Sequence, residues 1–474
     1  MAAIVIEIPD ELKGLVVPIR ALVEAVERVR TRTGGGRALD YGEIEQTMAE
    51  KTAAVERASH RVVLQALDVD RPRVHVGRET YARVGRGPST YYTLAGSVEV
   101  TRSLYRKEGE RNGKVVDPVS LRTGALEGGW LPQTARAMAH LGQQGTSREA
   151  EASARQTGRL PYSRCSFERV PHAVGELYVA ARADIEDALI DAYDVPAEAR
   201  AVSVSLDRAN IPMEEPRKRP VGRPRKDAPK RPITRVFRQA YAATVTLHDE
   251  EGNALHTIRH GRMPQAELSA LCEGLGNDVL ALLDQRPDLK VMLLHDGAHE
   301  LWNVPAQILN EKSLGTKVSE LVDFWHVIEK LGRAAVVLHG DAAAKGVVAR
   351  WKLRLLNSSP AASEILQELL GAGRRYVRVG KTKPVHEAIT YLENHAERMN
   401  YACARKQGLP IGSGNVEASC KSLFGLRFKR PGSRWKEKTG EHIVHLRALA
   451  LSDRWDQALD LAFQPLRRSV KRAA

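Results

Sequence analysis

A chain of 474 residues is longer than one hydrophobic core usually serves, so two or three domains are expected. Its 43% hydrophobic and 27% charged residues are ordinary globular values and point away from a disordered or fibrous chain. With 72 Lys and Arg against 58 Asp and Glu, the net charge of +14 favours a polyanionic partner, nucleic acid before anionic membrane, although a basic cytosolic enzyme would carry the same balance.

Residues 1–125 are expected to form a mainly helical amino-terminal region with one β-hairpin. Residues 11–67 read as two helices broken at Gly34 to Gly36, the first with Leu15, Ile19, Leu22, Val26 and Val29 on one narrow stripe. That stripe suits either a coiled-coil dimer seam or packing within its own domain. Tyr91 to Arg106 alternates apolar and polar residues around a glycine and reads as a hairpin with Arg102 and Arg106 at its far end, either facing DNA or structural.

Residues 126–195 carry three short helical patterns between Leu131 and Tyr178, broken at Gly145-Thr146-Ser147 and at Gly158 to Pro161. Ser147 is the expected N-cap of the middle one, and the tight turn before it suits a helix-turn-helix for DNA; a plain three-helix unit fits as well.

From residue 196 the texture changes. Ala201–Leu206, Val236–His248 and Leu255–His260 read as strands, Gln265–Leu283 as a helix and Val291–Leu294 as a fourth strand, an order that predicts a mixed sheet with helices on its faces. Residues 196–335 form the first part of this core, residues 336–405 an all-helical insertion, residues 406–452 its carboxy-terminal helical part, and residues 453–474 a short basic tail expected to fray.

Three carboxylates stand at informative places. Asp207 ends the alternation of Val202, Val204 and Leu206, and Asp296 ends the buried run VMLLHD, so both fall where a sheet stops and a pocket can begin. Glu417 enters the first turn of a helix after Gly412-Ser413-Gly414, where the helix dipole favours its ionised form. Each acid alone has a plainer reading: a turn former or cap for the two Asp residues, an i,i+4 partner of Lys421 for Glu417. Taken together they suit Mg²⁺ or Mn²⁺, with two ions about 4 Å apart serving a phosphodiester displacement.

Cys165, Cys272, Cys403 and Cys420 form no CxxC pair, so neither a zinc knuckle nor a disulfide framework is expected and a reducing compartment fits. No apolar run approaches the roughly 18 residues of a membrane span, and the start, MAAIVIEIPDELKG, does not look like a secretory leader, which leads to a cytoplasmic expectation.

The segments SLDRANIPM, MLLHDGAHELW, DFWHVIEKL and GSGNVEASCKSLFGLRFKRPGSRWKEKTGEHIVHLRAL resemble the bacterial insertion-sequence transposases of the ISKra type, relatives of the Mutator-like DDE transposases. The likeness runs from about Ala199 to Leu451 and is most specific in its last segment. It implies an RNase H-like catalytic core interrupted by a helical insertion and a metal-binding triad of Asp207, Asp296 and Glu417; a bacterial protein of this kind is expected in the cytoplasm, associated with the nucleoid. The motif Asp323-Phe324-Trp325-His326 makes Asp323 a competitor for a triad position and His326 a supporting residue or a satisfied core histidine. Some relatives carry a Cys-rich zinc element ahead of the core; this chain has none, so recognition of DNA ends falls to other parts.

Two basic stretches flank the acids. Residues 214–235 are crowded with Arg, Lys and Pro, and Arg219, Arg223, Arg225 and Lys226 around Gly222 resemble an AT-hook for a narrow A·T-rich minor groove, or else form a solvated linker. Lys421, Arg427, Lys429, Arg430 and Arg434 are candidates for phosphate, while Trp435 suits either DNA contact or burial. The expected protein is an α+β multidomain transposase that binds double-stranded terminal inverted repeats and target DNA as a homodimer or higher assembly. A nuclease or resolvase on the same core, and a non-catalytic DNA-binding derivative, are the alternatives.

Overall fold

The computed structural model describes residues 7–33, 38–214, 235–298, 300–373 and 383–473. The chain divides into two units, Met1–Ala181 with Asp456–Ala474, and Arg182–Trp455. Both helices and strands contribute to each, and each holds one five-stranded sheet.

The first unit begins with α1 (Val16–Thr33) and α2 (Tyr41–Ala66), the latter capped by the Asp40 carboxylate, which accepts from the Glu43 amide at 3.3 Å. The α1 stripe lies half-buried against α2 except for Val26, which stays exposed. Four strands follow, β1 (Arg73–Val76), β2 (Glu79–Thr93), β3 (Gly96–Lys107) and β4 (Val115–Val116). The β2–β3 hairpin is longer than its sequence pattern predicts, pairing Tyr81 with Lys107 at one end and Thr93 with Gly96 at the other. Its tight turn is held by the Thr93 hydroxyl, which donates to the Gly96 carbonyl at 2.9 Å, with Gly96 at φ 127 where a side chain would be strained. Arg102 forms an ion pair with buried Asp117, so its charge is spent inside the unit.

Next come α3 (Pro118–Thr123), α4 (Pro132–Gln144), α5 (Ser147–Gln156) and α6 (Arg164–Ala180). The cap of α5 is Thr146, one residue before the expected Ser147. Its hydroxyl accepts from the Glu149 amide while the Glu149 carboxylate accepts from the Thr146 amide, a reciprocal capping box. The carboxy-terminal residues do not fray as a basic tail would: α18 (Trp455–Phe463) is followed by β10 (Val470–Arg472), which pairs antiparallel with β1 and makes the sheet order β10-β1-β2-β3-β4. Val470 there packs on Val74, Val76 and Tyr105, apolar burial that fixes the end.

The second unit opens with α7 (Arg182–Asp191), then β5 (Ala201–Glu214), β6 (Arg235–His248), β7 (Ala254–Arg262), α8 (Leu268–Gln285) and β8 (Lys290–His295). After α9 (Glu300–Ile308) and α10 (Glu311–Leu314) a fifth strand, β9 (Val318–Val322), completes the sheet. The order is β7-β6-β5-β8-β9, with β5, β6 and β7 antiparallel and β8 and β9 parallel to β5 and to each other. The β7–α8–β8 connection is the helical crossover that two parallel strands require.

The remaining elements are helical: α11 (Phe324–Asn357), α12 (Ala361–Gly373), α13 (Lys383–His395), α14 (Tyr401–Lys406), α15 (Gly414–Cys420), a π turn at Lys421–Gly425, α16 (Leu426–Phe428) and α17 (Glu437–Leu451). Helix α11 breaks at Gly340, whose φ of 74 lies in the left-handed region. Separate hydrophobic clusters result among the described residues. One gathers Val202, Val204 and Leu206 with α8 and α11 to α13; another sets Ala209, Ile211 and Met213 against Val416, Phe424, Phe428 and Val444.

Candidate active site

Asp207 is not at a strand end. Strand β5 continues to Glu214, paired residue for residue with β6. Odd-numbered residues of this half share one face, so Asp207 lies in line with Ala209, Ile211 and Met213, the face on which α15 packs through Val416 and Cys420. Asp296 directly follows β8. Val204 of β5 is paired in parallel with Leu293 of β8, and three residues further along each chain stand Asp207 and Asp296. The two central strands therefore bring the two carboxyls together.

Half-buried Asp207 has its pKa raised, first by burial and further by the negative charge of Asp296; the Arg208 amide at 2.6 Å and the Cys420 thiol donate to it and work the other way. Asp296 is turned by its own loop: its carboxylate accepts from the Ala298 amide at 2.9 Å, and its carbonyl accepts from the Trp302 indole at 2.7 Å. Beneath the pair, the buried ring of His295 accepts the Leu206 amide at Nδ1 (3.0 Å) and ties β5 to β8. Burial, with help from the Arg398 charge, pushes its pKa down to about 3, so the ring is neutral with its proton on Nε2.

Asp323 is the N-cap of α11. One oxygen accepts from the His326 amide at 2.8 Å, and the other accepts from the Ser413 amide and, at 2.9 Å, from the Ser413 hydroxyl. Burial would raise its pKa, but these donors and the His326 ring outweigh it and hold the carboxyl below the usual range. With both oxygens engaged, Asp323 ties the start of α11 to the loop that leads into α15.

His326 stands at the centre. Its Nδ1 is 3.2 Å from Asp323 Oδ1 and its Nε2 is 3.4 Å from Glu417 Oε1. The Asp323 carboxylate, aided by Glu417 and Asp296 and opposed by partial burial, raises its pKa to about 9, which makes it an imidazolium at neutral pH. The same ring faces Asp207. Glu417, in the first turn of α15, has 55% of its side chain open to solvent.

All four acids named from the sequence thus lie around one histidine. The sequence reading passed over Ser413 and Cys420, and also Tyr391, whose ring packs so closely on Gly297 that a Cβ there would stand 2.2 Å from it. The signals lay in the chain: a His directly before Asp296, and a Ser inside the Gly-Ser-Gly turn.

Of the basic candidates, Lys421 and Lys429 are exposed on the π turn and its continuation, and Arg430 donates to the Leu426 carbonyl at 3.1 Å. Arg434 pairs with Glu214 at 3.1 Å. Trp435 is a core residue, only 8% exposed and stacked on Phe428 at 4.2 Å. Its amide donates to the Pro212 carbonyl at 3.0 Å and its carbonyl accepts from the Glu214 amide at 2.8 Å, so it is pinned to the edge of β5 and its ring cannot meet a base. The Arg427 guanidinium lies 4.7 Å from the centre of that ring. Arg219, Arg223, Arg225 and Lys226 lie outside the described residues.

As donors, the carboxylates of Asp207, Asp296 and Glu417 are hard oxygen ligands of the kind Mg²⁺ and Mn²⁺ take; the pKa of Asp207 is raised chiefly by burial, with a smaller part from the Asp296 charge. Among the described residues no three His, Cys, Asp or Glu side chains are gathered closely enough to hold a metal; His326 is what the acids face. None of the four cysteines is paired, and no helix of the described residues is long and apolar enough to cross a membrane.

No protein-family model and no curated protein matches the chain. Among solved structures it is similar to a Drosophila P element transposase strand transfer complex, at 13% identity and a TM-score of 0.25 over 70% of this chain and 81% of that one. A Mos1 transposase paired-end complex with left transposon end matches at 14% identity and a TM-score of 0.17, over 54% of this chain and 75% of that one. A pre-cleavage Mos1 transpososome matches at 14% identity and a TM-score of 0.17, over 83% of this chain and 99% of that one. These likenesses are distant in both sequence and superposition.

Proposed function

We propose that the chain is a DNA transposase whose second unit is an RNase H-like catalytic core, with Asp207, Asp296 and Glu417 as its acidic triad. The observation that carries this reading is the convergence of three carboxylates from separate elements, β5, the end of β8 and the start of α15, on the single ring of His326. The strand order, three antiparallel strands followed by two parallel ones beside β5, supports an RNase H-like core. The expected helical insertion, residues 336–405, is supported by the run of helices from the second half of α11 to α14, between β9 and α15.

Asp207, Asp296 and Glu417 are gathered around His326 and would have to draw closer to hold a divalent cation, Mg²⁺ or Mn²⁺; such an ion would supply the charge that activates the attacking oxygen and stabilises the leaving oxygen of a phosphodiester displacement. Asp323 keeps its oxygens on Ser413 and His326 and serves as a positioning residue. His326 orients Glu417 and offsets the repulsion among the acids. Exposed Lys421 and Lys429, with Arg427, Arg430 and Arg434, contact the phosphates of the bound duplex. The substrates are the terminal inverted repeats of an insertion sequence and a target DNA, brought together by two or more copies of the chain; the basic stretch of residues 214–235 adds an A·T-rich contact.

The test is cleavage and strand transfer of a labelled duplex carrying the repeats that flank the gene, in Mg²⁺ or Mn²⁺. Wild type should give joined products, and Asp207→Ala, Asp296→Ala and Glu417→Ala should each lose them while still binding DNA. Cleavage without joining would make the protein a nuclease. Binding unaccompanied by any cleavage would leave a DNA-binding protein and overturn the proposal.

A further inference from the structure

The sequence offered Trp435 as an aromatic for DNA, and the structure buries it. The large aromatic left open near the acids is another. In the first turn of α11, Phe324 is 1% exposed and faces the core, whereas Trp325 is 57% exposed and sits between Asp323 and His326. It lines a cavity of about 690 Å³ together with the loop from Gly408 to Asn415, which leads into the helix of Glu417, and with Gly252 and Ala254 at the β6–β7 turn.

Two features keep this ring open yet accessible to a polyanion. Gly412 lies against the indole edge, where a Cβ would be 3.1 Å from Cδ1 and 3.2 Å from Nε1, so a glycine leaves the cavity its width. An unbroken helix would put residues 325 and 352 about 40 Å apart. The break at Gly340 folds α11 back, and the Lys352 ammonium returns to 4.5 Å from the Trp325 ring. Exposed Arg405 lines the cavity and adds a second cation; Glu251 also lines it. A solvent-exposed aromatic flanked by Lys and Arg is the composition that binds single-stranded nucleic acid, bases on the ring and phosphates on the cations. The cavity volume falls in the range of small-molecule sites, large enough for a nucleobase and too small for a duplex.

We propose that this cavity receives one unpaired nucleobase of the DNA strand held at the acids, stacked on Trp325, with Lys352 and Arg405 on the flanking phosphates. This rests on the reading of the second unit as a DNA-processing core and adds a subsite to it. Lys352, on its flexible stem, moves from the ring to phosphate as the base enters.

The experiment uses the full chain and two short duplexes, one with a single unpaired 2-aminopurine at its end and one fully paired with 2-aminopurine at the same position. Wild type should bind the unpaired duplex about tenfold more tightly and quench its fluorescence on binding. Trp325→Ala should abolish both the preference and the quench while leaving affinity for the paired duplex unchanged, and Trp325→Phe should keep most of the preference. Equal affinity of wild type for the two duplexes, or a preference and quench that survive in Trp325→Ala, would overturn the subsite alone if cleavage of DNA ends persists. Failure of wild type to bind either duplex would overturn the subsite together with the transposase reading.

Discussion

The His326 ring holds Glu417 by its Nε2, 3.4 Å from Oε1, while the other ring nitrogen rests against Asp323. A half-buried imidazolium thereby links the start of α11 to the start of α15, and Asp207 and Asp296 face the same charge. Removing it should disorder the acids without unfolding the unit. His326→Ala is expected to lower end cleavage about 10- to 100-fold, the usual effect of losing a residue that orients metal ligands, and to raise the Mg²⁺ concentration needed for half-maximal rate. An unchanged rate and Mg²⁺ dependence in that variant would rule out a positioning role.

Asp207 and Asp323 should part company when neutralised. The fold raises the pKa of Asp207, so its ionised form costs stability at neutral pH, and Asp207→Asn should leave the unfolding midpoint unchanged or higher while abolishing cleavage. The fold lowers the pKa of Asp323, whose two oxygens serve His326 and Ser413, so Asp323→Ala should cost about 3 kcal/mol. Urea titrations of the two variants beside wild type decide this, and equal losses would sink the distinction between a working acid and a structural one.

Gly408 forms part of the Trp325 cavity wall and cannot be replaced cheaply. Its φ is +69, and a Cβ would stand 2.1 Å from the Glu250 carbonyl oxygen, a backbone atom with no freedom to withdraw. Gly408→Ala is therefore expected to cost roughly 2 kcal/mol or more, from left-handed strain and overpacking together. A thermal or urea midpoint within error of wild type would show that the loop accommodates the methyl group.

Much of the central sheet was legible in the chain. The apolar run before Asp296 reads as the buried strand it is, because a parallel strand covered on both faces needs no alternation. The length of β5 was not legible: Arg208, Asn210 and Pro212 look like an exit from a strand, yet β6 pairs with it as far as Glu214. Strand β9 was missed because Ser319 and Glu320 interrupt its apolar character and only Leu321 and Val322 are fully buried. The gathering of the acids depends on register, which fixes Asp207 beside Asp296 only after β5 and β8 are known to pair. Trp325 and Trp435 exchanged the roles their neighbours suggested: Trp435 sits among basic residues but is covered by Phe428, and Trp325 sits in an aromatic motif but on the solvent side of its helix.

A last prediction concerns acid stability and a carboxylate away from the site. Glu441 of α17 is largely buried, which alone would raise its pKa. The His445 ring donating at 2.8 Å, the Met263 amide donating at 3.0 Å and the nearby Arg262 charge more than offset that, and the pKa falls to about 2 from an ordinary value near 4.5. A carboxyl whose folded pKa is depressed contributes stability that is complete above its unfolded pKa and disappears as pH falls through its folded pKa. Between about pH 4.5 and 2 the protein should thus lose about 3 kcal/mol through this group, Glu186 contributing in the same direction. Glu441→Gln should be less stable than wild type at pH 7 by a similar amount, and the gap between the two should narrow as pH falls below 4.5. Urea unfolding of both proteins across this range is the measurement. Curves that stay parallel would mean that the Glu441 charge does not lock α17 to the end of β7, and that apolar contacts such as Val444 on Gly261 hold that helix by themselves.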